Sequence, residues 1–410
     1  MADVAVLGAG VIGAAVAYEL AGSGAEVVVV ERGDGWGTGC SYGNAGFVSP
    51  SHAGHFAHLG DLWQATRWLL RPDTPFAVRP RPGLAPFMTR LLASMRPTTE
   101  QRVRRLSLAL CEESLALHGA LAAAGIDAGF RQDGILEVYE TESLLAQATA
   151  HAGEGSRVLT AEQTRAEEPA LERELAGGIL NPGDAHCDPL RFVRGLGAAA
   201  ESRGTRLLTG HDAFDMTTAG RGVRVRTTSG DVTAGTLVIA AGAWSAPIAR
   251  ITGGRIPLEA GKGYTVDLAA GERRPLRRPL ILQEARIGVT PLEGRTRLAG
   301  TMAFDGLDPR LDRRRVDAVR AAGARALPGW ADAAVQEVWA GLRPCSPDGL
   351  PIVGRLPGRE QFVIATGHAM LGLTLAPVTG RLVAELLDGR PRPVLAQLSP
   401  ARFGRGRSTA

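Results

Sequence analysis

Residues 1–32 constrain the fold more than any other stretch of this 410-residue chain. Val4-Ala5-Val6-Leu7 is a short apolar, β-branched run, long enough for one buried strand. Gly8-Ala9-Gly10-Val11-Ile12-Gly13 follows, then an Ala-rich stretch from Ala14 to Leu20 suited to a helix that Gly22 and Gly24 end. Val27 to Val30 reads as a second buried strand, closing on Glu31 and Arg32. Strand, glycine turn, helix, strand, acid is the unit that takes the ADP half of a dinucleotide. Gly8 permits the tight turn, Gly10 lets backbone approach a pyrophosphate, and Gly13 lets the helix lie close on the strand. Val11 and Ile12 open that helix, whose N-terminus offers N–H groups and a positive dipole end to phosphate. Glu31 stands where a carboxylate takes both hydroxyls of the adenosine ribose. A second run, Gly195-Leu196-Gly197-Ala198-Ala199-Ala200, imitates the fingerprint. It follows Asp188-Pro189-Leu190, a helix start, and reads as small residues inside an amphipathic helix.

Composition narrows the remaining classes. Hydrophobic residues at 45% and charged residues at 21% describe a globular chain with ample core. A net charge of +4 with no basic stripe excludes a nucleic-acid partner. Cys40, Cys111, Cys187 and Cys345 lie far apart with no metal-ligand spacing. Free thiols in a reducing cytosol, and no metal, are therefore expected. The apolar N-terminus is accounted for by strand, turn and helix, so no secretory signal is read. No run reaches membrane-spanning length, and a cytoplasmic protein is expected.

After Arg32 comes a glycine-rich loop through Gly46, costly in entropy unless its backbone lies against something. A long cofactor passing over it and a mobile surface loop are the two readings. From Ala53 to about Leu121 the chain becomes an inserted helical excursion, in which Trp63, Trp68, Phe76 and Phe87 alternate with arginines such as Arg67, Arg71 and Arg90. A basic aromatic surface resting on anionic lipid is one reading, solvated arginines on helices over a sheet the other. Strands are read at Gly134 to Tyr139, Gly177 to Asn181 and Arg206 to Leu208, and a helix from Asp188 to about Ser202. A hairpin turns at Ser229-Gly230-Asp231, and a buried strand from Thr236 runs to a turn at Gly242. Between Ile256 and Ala303 strands follow one another without a helix, which implies an antiparallel second sheet. Asp312 to Leu327 is a helix, and Gln361 to His368 a strand reaching Gly367. Three distant strands thus end on glycine, after Leu7, at Gly242 and at Gly367. A site built from beginning, middle and end suits a permanently held flavin dinucleotide better than a diffusing NAD.

Spread over the whole chain are Glu31-Arg32 behind the fingerprint, Ser41-Tyr42-Gly43-Asn44-Ala45-Gly46, Gly261-Lys262-Gly263-Tyr264, Val289-Thr290-Pro291-Leu292, Leu298-Ala299-Gly300-Thr301-Met302, Trp339-Ala340-Gly341-Leu342-Arg343-Pro344, Pro347 to Gly354, and Thr366-Gly367-His368. With these the chain resembles the FAD-dependent D-amino-acid oxidase superfamily, most closely its D-amino-acid dehydrogenase branch. The resemblance implies an α/β fold: a discontinuous, Rossmann-type FAD-binding domain (1–52, 150–250, 335–400) and a substrate domain with a mixed, mostly antiparallel sheet and the helical insertion (53–149, 251–334). A disordered tail is expected over 401–410.

It also implies non-covalent FAD, since Cys345 does not fall where some sarcosine-type members attach flavin. Cofactor contacts beyond the fingerprint are carried over to Ser41, Asn44, Ala45, Gly46, Val48, Ala213, Gly242, Trp244, Gly367, His368, Met370, Gly372, Leu373 and Thr374. Arg343 matches the arginine that forks onto the substrate carboxylate, setting the Cα–H against flavin N5 for hydride transfer; the lesser alternative is a surface ion pair after a glycine turn. Arg286 and Tyr264 are placed on substrate-sheet strands, facing the ligand or away from it. His52 lines the pocket or is merely solvated. The activity implied is oxidation of a D-amino acid or a cyclic imino acid of the D-proline or hydroxy-D-proline type, to an imine and then a 2-oxo acid. Electrons would pass to a respiratory quinone or to oxygen, with peripheral contact at the inner face of the membrane. The alternatives are a glycine or sarcosine oxidase, and a FAD-binding structural subunit of a multi-subunit dehydrogenase.

Overall fold

A computed structural model describes residues 1–54, 76–273 and 275–404. The Ala2–Leu7 and Val27–Val30 strands pair in parallel across the Val11–Gly22 helix, as the fingerprint requires. On its other side Ala2–Leu7 pairs in parallel with Gly230–Ile239. That long strand enters from an antiparallel hairpin with Gly222–Thr227 and leaves beside Arg359–Thr366, again in parallel. The three strands that end on glycine are therefore immediate neighbours, with their carboxyl ends together. Arg206–Leu208 closes the sheet beside Val27–Val30. Central strands of Val, Ile and Leu are buried on both faces, so they read as continuous apolar runs rather than alternating ones.

The second sheet runs in the order Val335–Cys345, Glu259–Ala269, Arg295–Phe304, Ile287–Leu292, Leu280–Leu282, Ile135–Tyr139, Gly177–Asn181, Arg157–Thr160. It is mixed but mostly antiparallel; among the described residues its parallel pairs are Leu280–Leu282 with Ile135–Tyr139 and Phe76–Val78 with Arg295–Phe304. Helix Arg313–Ala326 covers one side through Val319, Ala322 and Ala326. Helix Ala85–Ser94 covers another part through Phe87 and Leu91, which pack with Phe304 and Cys345.

Sheet membership corrects the boundaries drawn from sequence. Arg157–Thr160, Gly177–Asn181 and Val335–Cys345 belong to the second sheet, so divisions at 150 and 335 assign them to the wrong half. Pairing across hundreds of residues decides this, and no local pattern encodes it. The expected tail is also shortened: Pro400–Phe403 forms a 3₁₀ turn, and Arg402 forks onto Asp348. Residues 405–410, and Trp63, Trp68, Arg67 and Arg71 of the insertion, lie outside the described residues. The imitation fingerprint is helical, Pro189–Glu201, with Asp188 capping the N–H groups of Leu190 and Arg191. Gly197 is small because the Trp36 ring lies 2.5 Å from where its Cβ would be.

Candidate active site

A cavity of about 520 Å³ opens at the carboxyl ends of the three neighbouring parallel strands. Its walls follow the chain from phosphate turn to adenine end. At the turn, a Cβ on Gly13 would stand 1.8 Å from the Gly8 carbonyl oxygen, so helix and strand touch backbone to backbone. Gly8 has φ +106, a conformation that L side chains rarely adopt. A Cβ on Gly10 would meet only Ser41 Oγ, at 3.4 Å, which leaves the turn's surface bare on the cavity side. Ser41 Oγ accepts the Val11 N–H at 2.9 Å, and the rest of the helix's first turn offers N–H groups with no intrahelical partner. Glu31 is fixed at the end of the second strand by the N–H groups of Ala9 and Gly33, each at 2.7 Å. Its remaining lone pairs border the cavity. Beyond it Arg32 stacks on Trp244, 3.9 Å from the ring centroid, and Ala213, Pro247 and Ile248 supply an apolar slot.

At the other end, His368 borders the cavity, 2% exposed, with Nε2 at 2.9 Å from Thr379 Oγ1. Burial pushes its pKa down to about 3, so the imidazole is neutral. Nδ1 is buried without a hydrogen-bond partner among the described residues. A bare glycine cradle at a helix N-terminus and a fixed carboxylate at the end of the second strand, both bordering one long cavity, together fit a flavin dinucleotide. Gly8, Gly10, Val11, Ile12, Glu31, Arg32, Ser41, Asn44, Ala213, Gly242, Trp244, His368, Gly372 and Leu373 all border this cavity.

Other residues singled out from sequence do not border it, and their positions explain why. Gly13 is covered by its own helix contact. Val48 is fully buried in a two-residue strand with Ala185 opposite, and Thr374 Oγ1 donates to the Phe47 carbonyl behind it. The Ala45 carbonyl accepts the Thr290 hydroxyl, and Gly46 (φ +87) packs on the Cys187 carbonyl. Gly367 makes the turn at φ +81, and Met370 is half exposed. These residues shape the walls without forming them.

The loop from Gly39 to Gly46 lies between the cavity and the second sheet. Cys40, Ser41 and Asn44 border the cavity, while the loop's other side is pinned to the sheet. Tyr42 donates to Glu337 and packs at a tilt against Trp339, centroids 4.8 Å apart. Arg297, 3% exposed, donates from Nη1 to the carbonyls of Tyr42 and Asn44, each at 2.9 Å. Its Nε and Nη2 fork onto the buried Asp267 at 2.8 Å, and Arg295 bridges Asp267 to Asp188. Sequence reasoning missed this clamp. Its trace was a charge inside each of two apolar strand runs, at positions that prove to be direct partners, Asp267 opposite Arg297.

Arg343 lies on Val335–Cys345, whose Leu342 and Pro344 border the cavity. Gly341, on the same side of the strand as Arg343, packs against Cys40 of the flavin-side loop. The guanidinium is half buried, and Nη1 donates to the Thr301 carbonyl at 2.8 Å. It has no carboxylate partner among the described residues. Strand parity turns it to the face opposite Leu342 and Pro344, so the cation does not itself border the cavity but lies on the Gly341 face, towards Cys40 of the loop that does.

Tyr264 does not join it. It sits one residue from Gly263, over which Arg343 lies, so its side chain turns to the opposite strand face. There it is 1% exposed, near Asp305 and Asp312, and burial first, then those carboxylates, push its pKa up to about 12. Arg286 is not on a strand; it closes the turn before Ile287–Leu292 at φ +53 and is exposed. His52 is not simply solvated: Nδ1 is 2.8 Å from Ser51 Oγ, and the ring lies 3.5 Å from Glu137 and 3.8 Å from Asp184. Burial opposes its charge, but Asp184 and Glu137 outweigh burial and raise its pKa. Cys345 is buried and its thiol pushed up to about 12, again chiefly by burial, which makes it a poor nucleophile.

Fold and cavity define a flavin-dinucleotide oxidoreductase. The family model for FAD-dependent oxidoreductases of the DAO type matches residues 3–386, and the chain belongs to that family. FAD is its cofactor, and it is an enzyme. The chain is similar to the D-amino acid dehydrogenase of Paramagnetospirillum magneticum, 35% identical over 412 residues, covering 95% of this chain and 96% of the relative. It is likewise similar to that of Cereibacter sphaeroides, 32% identical over 98% of this chain and 95% of the relative. Among solved structures, glycine oxidase from Geobacillus kaustophilus superposes with TM-score 0.79 at 28% identity, covering 98% of each chain.

Proposed function

We propose that this enzyme oxidises the C–N bond of a D-amino acid or a cyclic D-imino acid, giving an imine that hydrolyses to a 2-oxo acid or stays cyclic. The observation that carries this is Arg343, a half-buried guanidinium bonded only to a backbone carbonyl among the described residues, on the strand face that packs through Gly341 on Cys40 of the cavity-bordering loop. An unpaired fork of N–H donors recognises a carboxylate by two parallel bonds, which fixes the amino acid's orientation as well as its charge. When bound, FAD supplies the two-electron acceptor. The chain's own part is to hold the carboxylate at Arg343, to keep His368 neutral, and to place the loop carrying Cys40, Ser41 and Asn44. No acid or base residue is required if the amine binds neutral. The D-amino acid dehydrogenase names of relatives at 31–35% identity support the D-series.

The likeness to glycine oxidase supports a second reading, oxidation of glycine or N-methyl amino acids with oxygen as acceptor. For the first reading we place the enzyme in the cytoplasm, passing electrons to a respiratory quinone. Support for contact with the inner membrane face comes from Leu92 and Leu108, exposed on helices that also expose Arg90, Arg104 and Arg105. Anaerobic flavin bleaching against D-, L- and N-alkyl amino acids, including D-proline and hydroxy-D-proline, separates these. Fastest bleaching by a D-amino or D-imino acid supports the first reading. Fastest bleaching by glycine or sarcosine, with peroxide formed in air, replaces it with the second, and no bleaching by any amine removes both.

A further inference from the structure

Arg343 rests on bare backbone. A Cβ at Gly263 would stand 2.2 Å from Nη1, 2.3 Å from Nη2 and 2.4 Å from Cζ of Arg343, and these are the three atoms nearest to it. With Cζ the farthest of the three, the end of the guanidinium that carries Nη1 and Nη2 is turned to Gly263 and lies obliquely over its backbone. The plane is then turned by one further contact, the 2.8 Å bond from Nη1 to the Thr301 carbonyl. Thr301 sits at φ +71, a left-handed conformation that a β-branched residue keeps only where its surroundings impose it. It lies at the register shift between the Lys262–Ala303 and Tyr264–Gly300 pairs, so the extra residue of the bulge falls beside Gly263. Backbone support at Gly263 and the Thr301 acceptor leave the Nη2 and Nε donors without hydrogen-bond partners among the described residues.

We infer that Gly263 and the Thr301 carbonyl form a seat that fixes the plane of the Arg343 guanidinium, making Gly263 a positioning residue for substrate-carboxylate recognition. This rests on the reading of Arg343 as the carboxylate-binding group. A side chain at 263 lifts the guanidinium off its seat while disturbing little else, because the atoms it displaces are the free end of a long, flexible side chain.

The test is Gly263→Ala in the full-length, FAD-loaded enzyme, with propionate as a non-reacting carboxylate probe measured by calorimetry beside amino-acid kinetics. The expected result is a rise of at least tenfold in the propionate Kd and in KM, a smaller change in kcat, and thermal midpoint and FAD affinity close to the parent's. The double variant Gly263→Ala with Arg343→Ala is expected to bind propionate no more weakly than Arg343→Ala alone, since both changes act through one group. Unchanged propionate binding in Gly263→Ala, where Arg343→Ala weakens it, overturns the seat and leaves the Arg343 reading standing. Unchanged binding and KM in Arg343→Ala overturn both. Failure of Gly263→Ala to fold also overturns the seat, because the methyl would then be displacing more than the mobile end of Arg343.

Discussion

The two sheets meet the cavity with different chemistry. The parallel sheet offers backbone: Gly8 and Gly13 in mutual contact, the bare surface of Gly10, and the open N–H groups of a helix. The antiparallel sheet offers charged side chains: Arg343 on the strand face that packs against the cavity-bordering loop, and the Arg297–Asp267–Arg295 network that holds that loop from behind. Backbone recognition needs only correct local geometry, and cannot be tuned by exchanging one side chain for another. Side-chain recognition depends on which strand face a residue occupies. The first kind suits a cofactor shared by a family, the second a substrate that varies within it.

The sharpest way to break this contrast is Gly13→Val. With even a Cβ placed 1.8 Å from the Gly8 oxygen, helix and strand must separate, and loss of FAD together with most soluble folded protein is expected in absorbance and circular dichroism. A folded, yellow variant would show that the close helix contact is dispensable. Arg297→Met probes the other half. Removing one partner of a buried ion pair costs about 3–5 kcal/mol, here towards the lower end because Arg295 still faces Asp267 at 3.0 Å. A lower urea midpoint is expected, with FAD affinity weakened at least tenfold as the Tyr42 and Asn44 carbonyls lose their anchor. Unaltered FAD affinity would mean that the loop is held from the cofactor side alone.

Acidity gives a smaller effect with a definite sign. His118 and His368 are held neutral by burial, with pKa values pushed down to about 4 and about 3 against an ordinary 6.5. The unfolded chain therefore takes up protons first as pH falls below 6.5, and stability is lost on the acid side, about 2 kcal/mol for each group by pH 5. His52 works the other way: its pKa is raised, so its contribution is full below 6.5 and fades as pH rises through the folded value. A urea midpoint that falls between pH 7 and pH 5, and falls less in His118→Gln, is expected. A flat profile would mean that the buried imidazoles are already paired with solvent.

How much was legible in the sequence follows the same division. The phosphate turn, Glu31, the three strands ending on glycine and the decoy at Gly195–Ala200 could all be read, because their signals are local. The helix after Asp188 and the mixed second sheet were legible as well. Tyr264 and Arg286 were not, since one residue of strand parity hides the first, and the second belongs to a left-handed turn rather than a strand. Arg297 was hidden for a related reason: a charge in an apolar run signals burial but not its partner, which here lies 30 residues away across a sheet.

The measurement closest to the central claim is anaerobic reduction of Arg343→Ala, with FAD content determined on the same sample. If backbone holds the cofactor and one guanidinium holds the substrate, the variant keeps its flavin at the parent's affinity. Its bleaching by the best amino-acid substrate then slows by an amount corresponding to about 2–5 kcal/mol in kcat/KM. Bleaching at the parent's rate, or a protein that has lost its flavin, would contradict the account.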